Sequence, residues 1–363
     1  MIILAIETSC DDTCIAILEA KGNKNPRFKI LSNIVSSQAK IHAKYGGVYP
    51  SLAKREHQKN LPIMLRKALR TAKNPMVDLI AVTVGPGLEP CLWVGVNFAK
   101  DLAKKLNLPL VPINHVEAHI LANWLTLIGS NSKLFPAICL VVSGGHTQLI
   151  LMKGFGKYKI LGETRDDAAG ECFDKAARIL ELGYPGGPIV AKMAAKFKMQ
   201  NAKCKIKLPR PMIYQKNYDF SFSGLKTAVL YLAKQLTLDN KHLTIGQKRE
   251  ICAEAQQSII DVLIHKTIKA AKEYRAKTII LGGGVSSNQE LRRQFKQKCV
   301  SLKFKHLVPP KNLCTDNAVM VAAAGYFHTR AKRRVEKNEC SLTRKGKRLN
   351  LKDIAADANL RLK

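Results

Sequence analysis

The order of elements along the chain constrains the fold more than any single motif, because it occurs twice. Residues 1–36 read as three strands, Ile2–Ile6, Cys14–Leu18 and Phe28–Ile34, broken by the polar turn 7–13 and the Gly22–Pro26 turn. A helix over 52–72 follows, with Leu61, Met64, Leu65 and Leu69 at helical spacing. Strand Val77–Val84, helix 91–106, strand 108–113 and a helix from His115 to Leu127 complete the half. The second half opens the same way, with strands Ala137–Val142, Thr147–Met152 and Tyr158–Leu161 and a helix from near Ala168 to Leu182. It ends with a helical stretch at 247–273, strand Thr278–Leu281, helix 288–299, strand 303–308 and helix 316–327. Three meandering strands and then alternating helix and strand, twice over, predict two similar α/β domains facing each other across a cleft. The expected boundaries are 1–133 for the first lobe and 134–328 for the second, with 184–246 as an insertion in it. The run 329–363, rich in Lys and Arg, reads as a basic, flexible tail.

A chain of 363 residues, 46% of them hydrophobic, suffices for two such cores. No apolar stretch reaches bilayer length, and the first residues already form a strand, so neither a membrane span nor a signal peptide is expected. The ten cysteines are scattered, with no C-x-x-C pair, which suits a reducing cytoplasm. With 60 Lys and Arg against 27 Asp and Glu, the formal charge is +33. Such a balance suits a polyanionic partner such as nucleic acid, although the lysines are spread along the whole chain.

Chemistry-bearing residues fall at the turns. On the helix after strand 108–113, His115 and His119 stand one above the other and can present two imidazoles to one ion, zinc or iron being the suitable metals. At roughly 100° per residue, Glu117 lies about 180° from their midline, which weighs heavily against a zinc protease of the H-E-x-x-H kind. A third ligand is expected in Asp316, whose competing role is to cap the following helix. Because the histidines belong to the first half and Asp316 to the second, the metal is expected to bridge the lobes. The turn Ser143-Gly144-Gly145-His146 offers backbone N–H groups and a hydroxyl to an anion, or is an ordinary hairpin turn. Gly282–Gly284, with Asn288 at the next helix start, is an equivalent signal. Asp11 and Asp12 either orient a nucleophile or sit in a solvated turn. Asp166 and Asp167 suit a helix macrodipole, Asp174 lies within that helix, and Tyr184-Pro185-Gly186-Gly187-Pro188 forms a rigid turn after it.

Together these residues closely resemble the TsaD family, from residue 1 to about 328. The matching segments are Ile6–Asp11, Gly85-Pro86-Gly87, Asn114–His119, Val142–Thr147, Asp167–Glu171 with Phe173-Asp174-Lys175, Tyr184–Gly187, Phe220–Lys226, Gly283–Ser286 with Asn288, and Asp316-Asn317. The resemblance implies an actin-like (ASKHA) duplicated two-domain fold with a central cleft. It implies transfer of threonylcarbamoyl from threonylcarbamoyl-AMP to N6 of the adenosine just 3′ of the anticodon, in tRNAs reading codons that begin with A. In the family, His115, His119 and Asp316 would bind one divalent metal, Fe(2+) or else Zn(2+). Val141, Val142, Ser143, Gly144, Gly145, Asp174, Gly187 and Asn288 would bind the adenylate. His146 would hold the departing phosphate, and Asp11 or Asp12 would accept the amine proton. TsaB-like and TsaE-like proteins are the implied partners. Glu89-Pro90-Cys91 and the tail depart from the family pattern. The rival readings are an O-sialoglycoprotein endopeptidase, disfavoured by the Glu117 geometry, an actin-like small-molecule kinase, and a non-catalytic scaffold.

Overall fold

In the computed structural model, residues 1–22, 26–127, 134–200, 204–237, 242–333 and 350–362 are described. The chain divides into two compact units. The first comprises Met1–Lys133, Gly154–Tyr158 and Pro309–Lys363, and the second Leu134–Lys153 with Lys159–Val308.

The first unit is built on a five-stranded sheet. In chain order its elements are β1 (Ile2–Glu7), β2 (Asp12–Lys21), β3 (Arg27–Ser37), α1 (Ala39–His42), α2 (Pro50–Thr71), β4 (Leu79–Gly85), α3 (Glu89–Leu106), β5 (Leu110–Asn114) and α4 (His115–Leu121). The sheet order is β3-β2-β1-β4-β5, with β1 antiparallel to β2 and parallel to β4. The central strand reads Ile-Ile-Leu-Ala-Ile-Glu because both its faces are covered, so its side chains are buried almost without alternation. Pro112 sits in β5, the edge strand, where its missing N–H is tolerated. Pro50 opens α2, and Glu89 and Pro90 open α3; a preset φ and a first-turn carboxylate account for the Glu89-Pro90 departure as a helix start.

The second unit continues with β6 (Ala137–Val142), β7 (Thr147–Gly154), β8 (Lys157–Glu163), α5 (Ala169–Ile179), α6 (Gly186–Met199), α7 (Ser223–Thr237), α8 (Ile245–Glu273), β9 (Thr278–Gly282), α9 (Gln289–Ser301) and β10 (Lys305–Leu307). Its sheet order, β10-β9-β6-β7-β8, is that of the first sheet read from the other edge, and β6 is again antiparallel to β7 and parallel to β9. The duplication expected from element order is therefore present strand by strand. The segment 184–246 is not peripheral to this unit: Val190, Ala194 and Phe197 of α6 and Leu225 and Val229 of α7 lie in its core.

The chain then returns to the first unit. Helix α10 (Ala318–Arg333) packs on β1, β2 and α4, so 309–328, expected in the second lobe, belongs to the first unit. The expected tail also differs. Residues 329–333 continue α10, 334–349 lie outside the described residues, and 350–362 pack as a strap on the first unit. Ile354 is buried in the core there, Asp357 N donates to Val84 O (2.8 Å), and Gly87 N donates to Ala358 O (3.2 Å). Gly85 (φ +152°) permits this docking, since a Cβ there would lie 1.9 Å from Asp357 O. No described helix is long and apolar enough to cross a membrane, and the described cysteines are free thiols.

Candidate metal centre and glycine-rich turns

Asn114 makes the helix bearing His115 and His119 start where it does. Its Oδ1 accepts from Val116 N (2.9 Å) and Glu117 N (3.1 Å), which places His115 at the first helical position and His119 one turn on. Its Nδ2 donates to Leu360 O of the C-terminal strap (3.2 Å). The other end of the chain supplies the carboxylate. Asn317, not Asp316, caps α10, its Oδ1 accepting from Met320 N (3.0 Å). Asp316 is thereby turned toward the histidines, with Oδ1 3.2 Å from His119 Nε2 and 3.6 Å from His115 Nε2. All three ligand atoms lie within 4.8 Å of one another. Two atoms each bound at about 2.1 Å in tetrahedral geometry are about 3.4 Å apart, so the spacing fits one zinc- or iron-sized ion. His119 Nδ1 is buried with no hydrogen-bond partner, and burial, opposed by Asp316 and reinforced by His115, lowers the basicity of that ring. A neutral imidazole is the ligand form. The ligands all belong to the first unit, so the expectation of a metal bridging two lobes is overturned: α10 carries Asp316 back to the sheet where the chain began.

Behind His115 stands Glu7, a fully buried carboxylate at the end of β1. It accepts from Ser9 N (2.6 Å), Thr83 Oγ1 (2.6 Å) and His115 Nδ1 (3.0 Å). The proton is thus held on Nδ1 and Nε2 is turned toward Asp316, the carboxylate–histidine arrangement that orients a metal ligand. Burial alone would depress His115, but the Glu7 and Asp316 carboxylates lift it to about 9; His115 in turn holds Glu7 below its usual value against burial. Glu117 is buried on another side of α4 and accepts from His328 Nε2 of α10 (2.7 Å), which does not favour a protease.

Asp11 and Asp12 lead into β2. His57 of α2 braces this turn, with Nδ1 2.8 Å from Thr13 Oγ1 and Nε2 donating to Cys10 O (2.9 Å). Burial and then the Asp316 charge raise the Asp11 carboxyl. Burial raises Asp12 to about 7, with a hydrogen bond from Ser37 opposing it and the Asp316 charge adding to it. Asp12 Oδ1 is buried and makes no hydrogen bond.

In the second unit the turn 143–146 caps the β6–β7 hairpin, with Ser143 N donating to His146 O (2.8 Å) and His146 N to Ser143 Oγ (3.1 Å). Gly144 and Gly145 are exposed, and a Cβ on either would meet nothing within 4 Å, so their backbone is open to a ligand. Gly170 N, at the start of α5, donates to Ser143 O (3.2 Å). Gly283 lies on the end of β6, where φ is +85° and a Cβ would come 2.3 Å from Val142 O. The structure thus gathers Val141, Val142, Ser143, Gly144 and Gly145 with the start of α5 and the loop leading to Asn288. Asp174 Oδ1 accepts from Gly186 N (2.7 Å) and Gly187 N (3.3 Å), so it caps α6. Asn288 caps α9 through Leu291 N (3.0 Å) and donates to Gln256 Oε1 (2.8 Å). Asp166 serves α7 rather than α5, accepting from Phe222 N (2.8 Å), Ser223 N (3.2 Å) and the Ser221 and Ser223 hydroxyls.

Sequence reasoning missed Glu7, Ser9, Thr83 and His57. The available signal was an unpaired carboxylate ending a strand of otherwise apolar residues, a position that demands buried partners.

A family model described as TsaD, tRNA N6-adenosine threonylcarbamoyltransferase, matches residues 29–323. A curated tRNA N6-adenosine threonylcarbamoyltransferase of Thermosipho africanus (strain TCF52B) is 47% identical over 328 residues, covering 90% of this chain and 94% of its own. The protein of the same description from Dictyoglomus turgidum is 46% identical over 328 residues, covering 90% and 93%. Among solved structures, full-length HypF in its phosphate- and nucleotide-bound form gives a TM-score of 0.57 at 13% identity, covering 92% of this chain and 46% of that one. HypF of T. kodakarensis gives 0.55 at 14% identity, covering 92% and 48%. The chain spans about half of each HypF chain, and that likeness concerns the fold alone, actin-like α/β.

Proposed function

We propose that this chain, which belongs to the tRNA N6-adenosine threonylcarbamoyltransferase family, transfers a threonylcarbamoyl group from threonylcarbamoyl-AMP to N6 of the adenosine just 3′ of the anticodon, in tRNAs reading codons that begin with A. The observation that carries this reading is the convergence of His115, His119 and Asp316 in a member of that family, with Glu7 holding the first ring in its ligand tautomer. One divalent ion, Fe(2+) or Zn(2+), would be held there and would supply Lewis acidity toward the carbamoyl oxygen.

The chain's own residues have the remaining work. N6 of adenosine is a poor nucleophile, so catalysis depends on holding it in line with the carbamoyl carbon. As the N–C bond forms and the bond from that carbon to the adenylate oxygen breaks, N6 loses a proton and AMP leaves. Asp12 is the better base of the pair: its carboxyl is raised to about 7, matched to neutral pH, and its Oδ1 is uncommitted to the fold. Asp11, also raised, supports the same turn. In the second unit, the open N–H groups of Gly144 and Gly145 and the His146 side chain suit the adenylate phosphate. Asp174, which holds the Gly186 and Gly187 backbone, would join them in binding the adenylate, and Asn288 would contribute through the lone pair its cap leaves over. TsaB-like and TsaE-like partners and a cytoplasmic setting belong to the same reading.

The test is incubation of the protein, with those partners, with threonylcarbamoyl-AMP and unmodified tRNA, followed by nucleoside mass analysis. A threonylcarbamoyl mass increment on adenosine supports the proposal; unmodified adenosine throughout defeats it.

A further inference from the structure

The turn leading into α2 carries an exposed aromatic pair that the reaction chemistry does not use. Tyr45 is 63% exposed and Tyr49 54%, yet their rings stack at 5.7 Å between centroids and 27° between planes. Large aromatic rings left in water are informative, because burying them would have been favourable.

The Tyr49 backbone is held by a buried brace that leads to the carboxylate turn. Gln38 N donates to Asp11 O (3.1 Å). His42, buried on α1, places Nε2 3.0 Å from Gln38 Oε1 and accepts at Nδ1 from Tyr49 N (3.2 Å). Because Nδ1 is the acceptor, Nε2 carries the proton and donates, so one neutral tautomer satisfies both bonds. Tyr49 itself is extended (φ −104°, ψ 107°), as the proline after it requires. In the stretch that carries the pair, Lys40, Lys44, Lys54, Arg55 and Lys59 are exposed, while Glu56 is the single acid between residues 38 and 60.

Stacked aromatic faces on a basic stretch of chain are the arrangement that binds an unpaired nucleobase and its phosphates. We propose that Tyr45 and Tyr49 form a stacking platform for an unpaired anticodon-loop base of the RNA substrate, held by Gln38 and His42 at the turn bearing Asp11 and Asp12. This rests on the reading of the substrate as tRNA, and it names the residues that hold a base of the loop for reaction.

The test measures affinity of the full chain for an unmodified anticodon stem-loop and for a fully paired RNA, across a salt series. Tyr45→Ala and Tyr49→Ala should each weaken stem-loop binding roughly 5- to 100-fold with an unchanged salt slope, and leave paired RNA unaffected. Tyr45→Phe and Tyr49→Phe should bind as the parent does, and a Lys40→Ala/Lys44→Ala variant should show a shallower salt slope. Stem-loop affinity unchanged in both alanine variants, or paired RNA weakened equally, overturns the proposal. So does retained RNA affinity together with lost binding of a purified protein partner, which would make the pair a protein-docking face. If the parent protein modifies tRNA and both alanine variants match it, this inference alone fails. If the parent neither binds nor modifies tRNA, the functional reading fails with it.

Discussion

Replacing Glu7 by Gln isolates what the buried carboxylate does for the metal ligands. Glu7 accepts three hydrogen bonds and donates none: Oε1 takes Ser9 N, and Oε2 takes Thr83 Oγ1 and His115 Nδ1. An amide of the same shape has one oxygen and one NH2 group. If the oxygen keeps Ser9 N, the NH2 faces Thr83 Oγ1, which can rotate and accept, and His115 Nδ1, which can accept only by surrendering its proton. That proton moves to Nε2, the atom 3.6 Å from Asp316 Oδ1 and the one a metal needs unprotonated. The opposite amide orientation sets NH2 against the Ser9 N–H, two donors face to face in a buried site. The ring's fallback is Ser9 Oγ, 3.2 Å from Nδ1, a neutral and longer contact. Loss of such a supporting partner costs about 10- to 100-fold in metal affinity, equivalent to about 1.4–2.7 kcal/mol. Competition titration of Zn(2+) against a chromophoric chelator measures the affinity, and long-range 15N–1H spectra of the imidazoles report the tautomer. Parental affinity in Glu7→Gln, with the proton still on Nδ1, would refute the reasoning.

The carboxylate turn gives a pH signature. Asp12 binds its proton more tightly folded (about 7) than unfolded (3.8), so its contribution to stability falls as pH rises from about 4 to 7 and is flat above. Asp12→Asn should therefore flatten that fall in denaturant melts of the metal-free protein, and should lower transfer by about 10²–10⁴-fold by removing the rate limb near pH 7. His119→Ala should abolish the Zn(2+)-dependent rise in melting temperature, which in the parent corresponds to about 2.7 kcal/mol at a hundredfold excess over Kd. Deleting residues 350–363 removes Ile354 and the bonds to Val84, Gly87 and Asn114; we expect a loss of about 2–5 kcal/mol in urea melts. Gly85→Ala, whose Cβ would collide with Asp357 O, should release the same strap to protease.

Much of the fold was legible because periodicity marks strands that are buried on both faces, such as Ile2–Glu7, and helices with one apolar stripe. The two histidines were legible because helical spacing alone brings them together. What spacing does not carry is where a late element returns. Asp316 follows the last strand of the second sheet, and only the packing of α10 on β1 and β2 reveals that it belongs with the first. The strap was hidden for a related reason: Leu351, Ile354 and Leu360 are too sparse to announce a core segment after the basic run, yet each packs against the first unit's core. Glu7 lies within the Ile6–Asp11 segment, but a lone carboxylate shows its partners only once β4 and α4 are placed beside it.

The discontinuity of the first unit has a consequence for biosynthesis. The cluster of His115, His119 and Asp316 and its supporting Glu7 draw on both ends of the chain, and the helix cap at 114 finds its last partner at 360. On a ribosome, every residue of the second unit has emerged by residue 308, while the first unit still awaits residues 309–363. A nascent chain therefore carries its glycine-rich turn before Asp316 can join His115 and His119.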